Sequence, residues 1–175
     1  MDMTHGGMLR KILLFALPLA ASSIIQQLYN SIDVAVVGRF ASSEALAAVG
    51  SNGALINLLI NIFIGLSVGA NVLIAHHIGQ KNDGAIKQAI STSMVVAVLS
   101  GVLVMFVGIA LARSILEMMD TPHDVIDLST LYLRIYFLGM PFLMVYNFGA
   151  AVLRGMGDTR RPLYCLLVSG VVNTV

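Results

Sequence analysis

The chain has 175 residues, of which 58% are hydrophobic and only 11% are charged, and its formal net charge is +1. Soluble globular domains are about 25% charged and about 45–50% apolar, so this composition excludes an ordinary soluble domain and indicates a membrane protein. The one cysteine, Cys165, excludes an internal disulfide and a thiolate metal cage, and we expect no metal site.

Long charge-free runs predict an all-α fold, a polytopic membrane helix bundle. Four complete transmembrane helices and the start of a fifth are expected at about 11–37, 45–75, 87–112, 125–153 and 161–175. The last run is still apolar at Val175, and from Pro162 it supplies roughly 21 Å of helix against a hydrocarbon core of about 30 Å. We therefore expect the chain to be a fragment, the front part of a longer protein.

Lysine and arginine are distributed unevenly between the two sets of loops. One side of the membrane would hold Arg10, Lys11, Lys81, Lys87, Arg154, Arg160 and Arg161. The other side would hold only Arg39 and Arg113. Because short basic loops stay in the cytoplasm, the sequence predicts a multi-pass protein of the cell (plasma or inner) membrane with a cytoplasmic N-terminus.

Polar residues share one face of the first predicted helix. Ser22, Gln26, Tyr29, Asn30 and Asp33 follow one another in steps of three and four. Such a stripe cannot favourably face acyl chains, so it must line a cavity or pair with neighbouring helices. We expect Gln26 and Asn30 to line a cavity.

The second helix repeats this pattern with Asn57, Asn61 and Asn71, which lie within about a quarter turn of one another. These amides either line the same cavity or hold helices together, at about 0.6 kcal/mol each. In the fourth predicted helix, Arg134 either extends outward to the membrane surface or pairs with a carboxylate inside the bundle. Asn57, Asn61 and Arg134 are therefore further candidates for the cavity lining.

Asp33 allows two interpretations. It lies roughly 33 Å along a straight helix from Lys11, where a carboxylate could be an anchor at the membrane surface. Pro18 can bend the helix and shorten that depth, and apolar residues continue after Asp33. In that case the carboxylate can bind and release H⁺ or coordinate Na⁺, as intramembrane acids commonly do.

Three stretches resemble the multidrug and toxic compound extrusion (MATE) transporters, particularly their bacterial branch related to the DNA-damage-inducible protein F group. They are "LPLAASSIIQQLYNSIDVAVVGRF", "GANVLIAHHIGQKNDGAIKQ" and "YLRIYFLGMPFLMVYNFGAAVLRGMGDTRRPLY". The resemblance covers nearly the whole chain. It implies that residues 1–175 are a partial N-terminal lobe of a twelve-helix protein whose two six-helix lobes rock to alternate access.

The resemblance also implies roles for particular residues. Asp33 matches the acidic position of the family's N-lobe cation site, and Tyr29 lies one turn before it on the same face. Asn147 and Asn173 match amide positions of helices four and five that join this site. Pro18 matches the proline at which the first helix bends in some members.

The function that the resemblance implies is export of cationic or amphipathic compounds in exchange for Na⁺ or H⁺. No covalent chemistry, and so no enzyme activity, is expected. We expect no cofactor besides the coupling ion and no nucleic-acid partner. The expected partners are small-molecule substrates, the lipid bilayer and the missing second lobe of the same polypeptide.

Two alternatives remain open at this point. One is a lipid-linked sugar flippase of the same superfamily, although its central cavity is typically more cationic. The other is a truncated, non-transporting membrane protein that packs or dimerises through Gly65 and Gly69.

Overall fold

The computed structural model describes residues 8–40 and 42–174, and within these ranges every regular element is an α-helix. The six helices are α1 (Met8–Phe40), α2 (Ser43–Gly79), α3 (Asp83–Met118), α4 (Ile126–Leu138), α5 (Met140–Gly155) and α6 (Arg160–Thr174). The predicted all-α membrane bundle is confirmed.

Three of the helices, α1, α2 and α3, are each long and apolar enough to cross a membrane. Helices α4 and α5 meet that test together, as a pair bent by 47°. Helices α2 and α3 are longer than the predicted spans. The prediction used runs without charged residues, and such runs mark only the part of a helix that lies inside the hydrocarbon core. At the start of α3, for example, the Ala85 N–H donates to Asn82 Oδ1 (3.1 Å), which caps the helix outside the apolar run.

The predicted fourth helix is not continuous but breaks at Gly139, between α4 and α5. Pro141 occupies the first turn of α5. It has no backbone N–H, and its ring would clash with the carbonyl four residues earlier in a continuous helix. Hydropathy alone does not indicate this break, because the chain stays apolar through the Gly139-Met140-Pro141 segment.

The core lies between α3 and the bent pair. Leu116, Leu133, Phe137, Met140 and Met144 are buried there together. Small residues on α3 permit this close packing, as is usual between membrane helices. These residues are Ala97, Gly101, Gly108 and Ala112, and all four are buried.

The two glycines of the predicted packing motif on α2 behave differently. A Cβ placed at Gly65 or Gly69 would have no atom within 4 Å. The motif therefore makes no close helix contact within the described part of the chain. The glycines that do permit close approach of two helices are Gly101 and Gly108 on α3, Gly155 on α5 and Gly170 on α6.

A buried amide links α2 to α4. Asn52 is fully buried, and its Nδ2 donates to the backbone oxygens of Ala48 (2.8 Å) and Ser129 (3.1 Å). We expect Asn52→Ala to lower the free energy of unfolding by about 0.6–1.7 kcal/mol, the range for interhelical polar contacts in membranes. Thermal unfolding in detergent measures this change.

The matched control is Asn61→Ala, because Asn61 Nδ2 donates only within its own helix, to the Asn57 backbone oxygen (2.7 Å). Stability should stay the same in this variant. Equal losses in the two variants would show that the α2–α4 hydrogen bond has no stabilising effect of its own.

Candidate functional site

A polar cleft of about 650 Å³ opens between α1, α2 and α4. We call it the Asp33 cleft, because Asp33 is the one charged side chain among its lining residues. The polar residues that line it are Gln27, Asn30 and Asp33 of α1, Asn57 and Asn61 of α2, and Tyr132 and Tyr136 of α4. A single carboxylate therefore shares this cleft with four side-chain amides and two phenols.

Helical periodicity explains how each wall presents its polar groups. On α1 the residues are spaced by three, and on α2 and α4 each pair is spaced by four, so each set lies on one helix face. Gly50 and Gly53 of α2 also line the cleft, and their lack of side chains leaves room beside the carboxylate. The cleft thus follows from residue spacing once the three helices are neighbours.

The groups in the cleft are suited to binding a cation. Carboxylate, amide and phenol oxygens are hard ligands of the kind that bind small hard cations. The Asn61 amide nitrogen is already engaged with a backbone oxygen (2.7 Å), which leaves its side-chain oxygen available as an acceptor. Tyr132 is close enough to Asp33 to interact with it electrostatically.

No basic side chain in the described ranges forms an ion pair with Asp33; the ion pairs there belong to Arg113 and Arg161. Asp33 is exposed to the cleft rather than packed against protein. Its negative charge is therefore not neutralised by the protein part that the structure describes, and the cleft can take a proton, a metal cation or a positively charged group of a larger molecule.

The structure divides the predicted site residues between several places. Asn30, Asn57 and Asn61 line the Asp33 cleft. Gln26 and Asn147 instead line a second cleft of about 320 Å³ between α1, α2, α5 and α6, which we call the Arg154 cleft.

Three other predicted residues lie outside both clefts or cannot be placed in them. Tyr29 faces α6, where a Cβ at Gly170 would overlap its ring. Asn173 belongs to α6, but its side chain lies outside the described part of the structure. Arg134 is exposed and lines neither cleft, so its expected place in the cavity stays a prediction.

Helix geometry accounts for these separations. Gln26 and Gln27 are adjacent and project about 100° apart, so α1 contributes to both clefts. Arg134 lies midway between Tyr132 and Tyr136, about 200° around α4 from either, so the face that turns the tyrosines inward turns the arginine outward.

Helix α1 is unbroken through Pro18, the residue at which we predicted a bend. The Ser22 hydroxyl donates to the Pro18 backbone oxygen (2.8 Å), a contact that helical serines commonly make with the residue four before them. The carbonyl that loses its helical donor because Pro18 has no N–H is that of Leu14. The helix nevertheless continues on both sides of Pro18.

Four residues that line the two clefts were not among the predicted site residues: Gln27, Tyr132, Tyr136 and Arg154. The tyrosines carry a signal that could have been used, since two phenols four residues apart in an apolar span share one face. Arg154 was assigned to a cytoplasmic loop, whereas it is the basic residue of the last turn of α5.

The described helices and the Asp33 cleft define a class of protein: a polytopic α-helical membrane protein with a polar, acidic cleft between its spans. The profile of the MatE family matches residues 18–175, and the chain belongs to this family.

Two relatives of the chain are named as probable multidrug resistance proteins. The chain is 37% identical over 164 residues to the probable multidrug resistance protein YoeA of Bacillus subtilis (strain 168), which covers 94% of this chain and 35% of that protein. It is 28% identical over 176 residues to the probable multidrug resistance protein YpnP of the same organism, which covers 99% of this chain and 39% of that protein. The chain thus spans little more than a third of the length of these relatives.

Solved structures agree with the fold. An outward-facing multidrug resistance MATE family transporter of the MOP superfamily matches with a TM-score of 0.86 at 25% identity, over 93% of this chain and 36% of the other. A MATE crystal structure in the bent conformation matches with a TM-score of 0.85 at 26% identity, over the same shares. The resemblance to MATE transporters that the sequence showed is confirmed.

Proposed function

We propose that this chain forms part of the N-terminal lobe of a cation-coupled antiporter that exports cationic or amphipathic compounds, with Asp33 as the site of the coupling ion. The observation that carries the proposal is the position of Asp33. It is the single charged group in a cleft of about 650 Å³ whose other polar lining groups are neutral amides and phenols. The multidrug resistance names of the relatives support the substrate class.

In this proposal a second lobe of the same polypeptide completes the transporter. Na⁺ or H⁺ binds at Asp33 from the outer side, shifts the equilibrium between the two lobe arrangements and releases the substrate. Ion release to the inside then resets the protein. Coupling requires that the ion bind the two arrangements with different affinities, because a ligand with equal affinity for both shifts nothing.

Efflux of a fluorescent organic cation tests this function. Proteoliposomes would carry the complete transporter, meaning this chain with the remainder of its own lobe and the proposed second lobe, under an imposed Na⁺ gradient and then an imposed pH gradient. We expect one of the two gradients to drive efflux. An efflux rate that is the same with and without each gradient would refute ion coupling.

We also propose that the N-terminus is cytoplasmic, on the strength of the seven basic residues on that side against two on the other. The test introduces single cysteines at Asn82, in the α2–α3 turn, and at His123, in the α3–α4 loop, after Cys165→Ser has removed the exposed native thiol. In intact cells a membrane-impermeant maleimide should label the cysteine at position 123 and leave that at position 82 unlabelled. Reversed labelling would refute the orientation.

A further inference from the structure

The Arg154 cleft differs from the Asp33 cleft in the sign of its charge. Its polar lining residues are Ser22, Ser23, Gln26, Tyr146, Asn147 and Arg154. Arg154 is the one charged residue among those that line it, and the cleft has no carboxylate. Two neighbouring clefts that share α1 and α2 therefore carry opposite charges.

The Arg154 guanidinium has no protein counter-ion within residues 8–40 and 42–174. The residue is partly buried, and Tyr146 lies close enough to interact with it electrostatically. Guanidinium presents five N–H donors in a fork that matches a phosphate or carboxylate. A partly desolvated cation with unused donors favours an anionic ligand in the same cleft.

Other hydrogen-bond donors in the cleft also favour an anionic ligand. The Gln26 amide and the Tyr146 hydroxyl donate to no acceptor in the described structure, so both can donate to a ligand. The two serine hydroxyls are already used, since Ser22 donates to the Pro18 oxygen (2.8 Å) and Ser23 to the Leu19 oxygen (3.2 Å). The donors available to a ligand in this cleft are therefore those of Arg154, Gln26 and Tyr146.

The remaining walls and the size of the cleft indicate the rest of the ligand. Leu19, Ile64, Ala150, Pro162 and Leu166 supply an apolar lining beside the donors. A volume of about 320 Å³ lies at the small end of the range for ligand sites, about 300–1,000 Å³. It suits a headgroup with the first part of an acyl chain better than a drug-sized molecule.

We infer that the Arg154 cleft binds the phosphate of an anionic phospholipid, with the acyl chain along its apolar wall. Basic sites between membrane helices on the cytoplasmic side are suited to anionic headgroups, and in the proposed orientation Arg154 lies at that side. The inference goes beyond the proposed antiport, because it concerns a different cleft and a ligand that is not exported.

Native mass spectrometry of the protein released from detergent tests the inference. The probes are phosphatidylglycerol, diacylglycerol with the same acyl chains, and inorganic phosphate. We expect the protein to retain phosphatidylglycerol, and Arg154→Gln to weaken this binding at least about tenfold, the loss expected for a charge-assisted hydrogen bond. The matched control is Arg160→Gln, an exposed arginine near the same membrane side but outside the cleft, which should bind as the unchanged protein does.

The probes separate two sources of the same phosphate group. Competition by inorganic phosphate that depends on Arg154 would show that the phosphate alone suffices, whereas binding of the lipid without such competition would show that the acyl chain is also needed; both support the site. Diacylglycerol binding as tightly as phosphatidylglycerol would overturn it, as would an unchanged affinity in Arg154→Gln.

A second variant covers the case in which Arg154→Gln fails to fold. Tyr146→Phe keeps the ring and removes one donor, so phosphatidylglycerol binding should weaken about 2- to 10-fold. Unchanged binding in this variant would count against the cleft as the lipid site. Because lipid binding is measured without transport, its failure and the failure of ion-driven efflux are separate results.

Discussion

Replacing Asp33 with asparagine should reduce ion-driven efflux at least about tenfold while leaving membrane insertion intact. Asparagine has nearly the same size but cannot take up a proton or offer a negative charge to Na⁺. Loss of one charge-assisted contact, about 1.5–3 kcal/mol, weakens ion binding about 10- to 100-fold. Efflux of a fluorescent cation from proteoliposomes measures transport, and the amount of protein in the membrane fraction measures insertion.

The matched control for this variant is Asp124→Asn. Asp124 is an exposed carboxylate between α3 and α4, outside the Asp33 cleft. Efflux should be unchanged in this variant, which separates a local role of Asp33 from a general effect of removing one negative charge. Unaltered drug resistance in cells that make Asp33→Asn would refute the role of this residue.

Gly101→Ala should destabilise the helix bundle by about 1–3 kcal/mol, the usual cost of adding a methyl group to a closely packed core. A Cβ at Gly101 would lie 2.6 Å from Pro141 Cα and 3.3 Å from Met144 Cβ. The nearest atom belongs to the backbone at the start of α5, so a change of side-chain rotamer cannot relieve the contact and the two helices must move apart. Thermal unfolding in detergent measures the effect.

Gly65→Ala provides the control, because a Cβ there has no atom within 4 Å. Both changes replace a mid-helix glycine with a better helix former, so their difference reports the contact between α3 and α5. If both variants unfold at the temperature of the unchanged protein, the close approach of these helices has no energetic role.

The candidate site was predictable in part. The polar stripe of α1 and the paired asparagines of α2 indicated a cavity near Asp33, and Asn30, Asn57 and Asn61 do line the Asp33 cleft. Each of these predictions depended on spacing within one helix. Whether a residue such as Arg134 shares a cleft with Asp33 depends instead on which face of a helix meets its neighbour, and spacing within one helix does not give this.

The separation of Gln26 and Asn147 from Asp33 shows the same limit. The sequence places the three residues in apolar spans, and the resemblance grouped Asn147 with Asp33. Asn147 lies about three helical turns beyond Tyr136, past the break at Gly139. Tyr132 and Tyr136 line the Asp33 cleft, whereas Asn147 lines the Arg154 cleft.

The amino-acid sequence by itself determined the membrane class, the positions of the apolar spans and the family, because hydropathy and motif spacing are local properties of the chain. Only the tertiary structure decided that the polar residues of the described helices are divided between the Asp33 cleft, which has a lone carboxylate, and the Arg154 cleft, which has a lone guanidinium. The physical reason is that rotation and bending of packed helices assign each polar side chain to a neighbour, and these depend on contacts such as Gly101 against Pro141 that are remote in sequence.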